Sequence, residues 1–96
     1  MREYRDAAKR LNIELSRRNS RFLFLKYAFM LKIKFKAKLQ KKIGNPYERW
    51  WDFSIDDTIV VLHSESMAGI SIHLRNVSND ELLREIGRNL LGKELM

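Results

Sequence analysis

From Leu23 to Leu39 every odd-numbered residue is apolar or aromatic, and this run limits what the chain can become. Phe29, Leu31, Ile33, Phe35, Ala37 and Leu39 alternate with Met30, Lys32, Lys34, Lys36 and Lys38. Period-two alternation of branched and aromatic residues with lysines is the pattern of a half-buried strand. Continued back to Phe22, such a strand would be about 60 Å long at ~3.3 Å per residue. A chain of 96 residues makes one domain over 1–96, only about 30–35 Å across. The strand must therefore bend, begin later, or extend to a partner. A bend or a helix-to-strand change near Lys26–Met30 is the expectation, with an arm to a partner chain as the alternative.

The remaining chain divides at clear punctuation. Tyr4, Ala8, Leu11 and Leu15 recur at helical spacing, with Asp6–Arg10 and Glu14–Arg18 as i,i+4 pairs, which predicts an amphipathic helix over 3–18. Ile13 falls on the wrong side of that helix, and Leu11, Ile13 and Leu15 fit the start of a strand equally well. Gly44-Asn45-Pro46 predicts a turn. Tyr47 to Ile55 alternates with Tyr47, Trp51, Phe53 and Ile55 on one face and Glu48, Trp50, Asp52 and Ser54 on the other. Asp56-Asp57 predicts a turn into Thr58–His63, whose run Ile59–Leu62 is apolar on both faces, as in a central strand. Ile70, Ile72 and Leu74 define one more strand after a turn over Ser64–Gly69. Ser78-Asn79-Asp80-Glu81 has the form of a capping box, followed by the stripe Leu82, Leu83, Ile86, Leu90, Leu91 and a glycine stop at Gly92. The expected fold is α+β: an antiparallel sheet of about four strands, one long and lysine-striped, with an N-terminal and a C-terminal helix.

Charge narrows the function. The net charge is +7, unevenly placed: residues 1–43 hold fourteen Lys/Arg and three acids, residues 44–96 five and nine. Basic surface should remain even if the acidic half lies across the basic one. On the predicted strand, Lys32, Lys34, Lys36 and Lys38 would be ~6.6–7 Å apart, near the spacing of phosphates on an extended single strand. Trp50, on the polar face of a neighbouring strand, would stack a base beside them. The plain alternatives are a lysine-protected edge strand and a tryptophan covered by another element.

Chemistry of other kinds is thinly represented. Four glycines leave no phosphate-cradling loop, and there is no cysteine for a disulfide, thiolate metal site or nucleophile. No cofactor or metal is expected. His63 and His73 flank a turn and could serve as an acid–base pair on RNA, but pairing His63 with Ile70 would put them on opposite faces. The apolar run Phe22–Leu31, broken by Lys26, is too short to span a bilayer. Its basic flanks would suit an anionic membrane surface, though burial in the core is the expected fate.

The sequence therefore reads as a non-enzymatic, cytoplasmic, homo-oligomeric binding module for an anionic partner, single-stranded RNA being the first candidate. One alternative is a protein-interaction module, an immunity or antitoxin-type inhibitor or an assembly subunit that pairs by strand addition. The other is a small ribonuclease using His63 and His73.

Overall fold

Leu11, Ile13 and Leu15 do form a strand, and the predicted N-terminal helix is replaced by a hairpin. The computed structural model describes residues 2–92. Strand β1 (Arg2–Arg5) pairs antiparallel with β2 (Leu11–Ser16), and all three apolar residues of β2 enter the core. The Asp6–Arg10 pair is present, at 3.0 Å, but it closes the hairpin loop instead of bracing a helix. Asp6 accepts from the backbone N–H groups of Ala8 and Arg10 and from the Asn12 amide, and Lys9 takes a left-handed φ of 64°. A short acid satisfying several local donors favours a turn over a helix.

The long lysine-striped strand is also absent. Ser20 caps a helix, α1 (Arg21–Lys34), by accepting the Leu23 N–H, and only Lys38 onward is strand. The run is apolar at nearly every position from Phe22 to Leu31, so period two and period 3.6 both match it. Helix wins because Phe24, Tyr27, Ala28 and Leu31 form one stripe against the sheet. The change from helix to strand falls at Lys36, with φ 54°, where the Ala37 N–H turns back to the Leu31 carbonyl at 3.1 Å.

Strands β3 (Lys38–Gly44), β4 (Glu48–Ile55), β5 (Thr58–Glu65) and β6 (Gly69–Leu74) form the expected meander. Together with the hairpin they make a six-stranded antiparallel sheet in the order β1-β2-β6-β5-β4-β3. The four-strand expectation is thus short by two, because the hairpin adds its strands beside β6. Helix α2 (Asp80–Leu91) follows, capped by Asn79, one residue later than the predicted Ser78, and ending at Gly92 in the left-handed region. Its buried Leu83, Ile86 and Leu90 share one core with α1 and the sheet. Both helices lie on one face of the sheet. The molecule measures 31 × 30 × 25 Å, which a 60 Å strand could not fit.

Candidate functional site

The sheet face away from the helices carries most of the polar side chains that meet one another. Register fixes its rows: Asn12, His73, Val61, Asp52 and Lys41 lie across five strands, and Ser71, His63, Trp50 and Ile43 form the next row toward the β5–β6 turn. His63 pairs with Ser71, not Ile70, because three residues separate Glu65 from its partner Gly69. The two histidines therefore share a face, which corrects the expected register.

Sharing a face does not make them an acid–base pair. His73 is buried, and its Nδ1 has no hydrogen-bond partner. Burial, then the charges of Arg10 and other neighbours, pushes its pKa down to about 4. At neutral pH its ring is therefore in the uncharged form, not the imidazolium that a general acid needs, and it is buried in the sheet. His63 is the more accessible: its Nε2 is 2.9 Å from Glu48 Oε2, and its ring stacks on Trp50 with centroids 5.0 Å apart and planes 9° from parallel. Glu65 lies directly opposite Glu48, and one ligand atom each from Glu48, His63 and Glu65 falls within 4.8 Å of the others. This trio could accept a divalent cation. Sequence reasoning missed it because Glu48 and Glu65 meet only through strand register.

On the same face Arg75 pairs with the buried Asp52. Asp6 is held down to about 2, first by the Asn12 amide and then by the Arg10 and Ala8 N–H groups. Both acids are thus paired with an arginine, although the second carboxylate oxygen of Asp52, Oδ1, is buried without a hydrogen-bond partner.

The predicted lysine–tryptophan surface does not assemble. Lys32 and Lys34 stand on the last turn of α1, two residues apart and so about 200° around the helix. Lys34 donates to the Asn89 carbonyl at 3.2 Å, near the end of α2. Lys36 is in the helix-to-strand turn and Lys38 opens the edge strand β3. Trp50 points to the opposite face of the sheet from the helices and rests on His63.

Cations without carboxylate partners are instead concentrated in one stretch of the chain. No acid occurs between Glu14 and Glu48. The carboxylates that form ion pairs do so elsewhere: Glu3 with Arg84, Asp80 with Arg5, Glu14 with Arg2 and Arg17, Asp52 with Arg75. Among the described residues, none of the nine Lys and Arg from Arg18 to Lys42 has a carboxylate within ion-pair distance. At one end of β3 and β4, Lys42 sits over the Trp51 ring at 4.3 Å and Arg49 over Phe24 at 5.6 Å, lining an open cleft with Gly44 and Asn45. The edge strand itself is blunted by Lys38, Lys41, Lys42 and a bulge between Leu39 and Lys41.

No protein-family model, curated protein or solved structure matches this chain.

Proposed function

We propose that the protein is a non-enzymatic binding module that engages an anionic partner through the surface formed by α1 and β3. One observation carries this reading: nine consecutive cations of the chain, Arg18 to Lys42, lie without carboxylate partners among the described residues. Unneutralised like charges on one helix and the edge strand beyond it repel each other and are relieved by an external anion. The interactions would be made by flexible ammonium groups, so they would favour affinity over sequence specificity and respond steeply to salt. Trp50 has no part in this reading.

Retention on immobilised heparin tests it without presuming the partner's class. Wild-type protein should elute at clearly higher salt than a Lys38→Gln, Lys41→Gln, Lys42→Gln variant, whose substitutions fall on the exposed edge strand. The salt slope of binding should drop by about one for each ammonium group that no longer meets an anion. Co-elution of the two proteins, or wild type passing through unretained, would remove the reading.

A further inference from the structure

Helix α1 is apolar on two sides, and only one of them is used by the core. Phe24, Tyr27, Ala28 and Leu31 face the sheet. Phe22, Leu25, Phe29 and Ile33 face outward, with 76%, 44%, 63% and 62% of their surface exposed. At 100° per residue these four fall within an arc of about 80° on the side away from the core. Lys26 borders the arc on one side, and Arg21 and Lys32 border it on the other. Single exposed apolar residues are ordinary, whereas four in one stripe, two of them phenylalanine, mark a contact surface.

The charges around the stripe select its occupant. A second copy of the chain would place this stripe against its own image, setting Arg21, Lys26 and Lys32 near the same cations with no acid on the element to pair them. A nucleic acid would satisfy the cations but leave Leu25 and Ile33, which offer no stacking plane, facing water or sugar. A bilayer with anionic headgroups meets both demands. Apolar side chains enter the acyl boundary, while the long basic side chains bordering them reach outward to phosphates.

We propose that α1 is a peripheral membrane-docking element, seating Phe22, Leu25, Phe29 and Ile33 in the interface of an anionic phospholipid bilayer, with Arg21, Lys26 and Lys32 at the headgroups. The proposal rests on the anionic-partner reading above and names that partner. The helix lies flat: its 14 residues extend about 21 Å, and no helix among the described residues is long and apolar enough to cross a membrane. Docking leaves the fold intact, because the stripe used is the one the core does not use.

The test is co-sedimentation with vesicles of phosphatidylcholine alone and with about one-third phosphatidylserine, an anionic content high enough to carry a surface potential. Sedimentation velocity without lipid and a titration of labelled single-stranded RNA run in parallel. Binding should require phosphatidylserine. The Phe22→Ser, Phe29→Ser variant should lose more than about tenfold in vesicle affinity while keeping the wild-type melting profile and heparin retention. Lys26→Gln with Lys32→Gln should lose about 25-fold, at ~1 kcal/mol or about fivefold per cation.

Three results would overturn it: no binding to phosphatidylserine vesicles, vesicle binding that the phenylalanine variant retains in full, or a dimer in solution that this variant abolishes. Wild type that is retained on heparin but ignores vesicles, whether or not it binds the RNA, would remove only the membrane assignment. Wild type that passes heparin unretained would remove the anionic-partner reading as well.

Discussion

Lowering the pH below about 6.5 should destabilise this protein through His73. Folding buries the imidazole between Asn12 and Val61 in the cross-strand row, and its pKa falls from 6.5 to about 4. Burial is the largest cause, and Arg10, His63 and Arg75 add repulsion to the protonated form; Asp6 alone opposes them. A depressed histidine pKa means that the fold prefers the neutral ring. The resulting stability is complete above about pH 6.5 and disappears as the pH falls through 6.5 to about 4. A drop of this size corresponds to about 3 kcal/mol, or very roughly 15 °C in melting temperature for a domain of this length. Asp6 stays ionised down to about 2, so its field on His73 is constant across that window. Its own contribution to stability is lost only below its unfolded value near 3.8. The assay is urea unfolding of wild type and His73→Leu at half-unit steps from pH 7.5 to 4, together with an NMR titration of the wild-type imidazole. The wild type should lose about 3 kcal/mol more than the variant over the window. An imidazole that titrates at 6 or above, or parallel pH profiles for the two proteins, would refute the argument.

Three further outcomes follow from the same geometry. Gly69→Ala should cost more than about 2 kcal/mol in urea unfolding, since φ is +93° and a Cβ would sit 2.1 Å from the Ser16 carbonyl oxygen; Gly92→Ala, also at positive φ but in open space, should cost about 1 kcal/mol. Arg75→Met should destabilise by about 1–3 kcal/mol because it leaves the buried Asp52 carboxylate uncompensated, and adding Asp52→Asn should recover part of that loss in a double-mutant cycle. Asn79→Ala should cost about 1 kcal/mol by removing the acceptor of the Leu82 N–H, whereas Ser78→Ala should be near neutral, a contrast readable by thermal melts.

A charged pair that can be read from spacing does not say which local structure it belongs to, and other charged groups that meet have no such spacing. Asp6–Arg10 is visible as a spacing of four, yet the spacing is shared by a helix and by a tight hairpin loop; the donors gathered by Asp6 decide for the loop. Glu48, His63 and Glu65 have no local signature. They meet because β4 and β5 pair in a register set by the Asp56-Asp57 turn, with Asp56 at φ 53°.

By itself the sequence determined the strands of the meander from Glu48 to Leu74 (though not the register that puts His63 and His73 on one face), the terminal helix with its glycine stop, and the surplus of positive charge in the first half. Each of these depends on local chemistry: alternation of two against one buried face, turn residues with restricted φ, a helical stripe ended by glycine, and a plain count of ions. Only the tertiary structure decided whether Phe22–Leu39 is strand or helix. A run apolar at nearly every position satisfies both periods, and the choice falls to whichever stripe finds a surface to bury itself against. Here the sheet accepts Phe24, Tyr27, Ala28 and Leu31, and that one decision scatters the predicted lysine row and turns Phe22, Leu25, Phe29 and Ile33 outward.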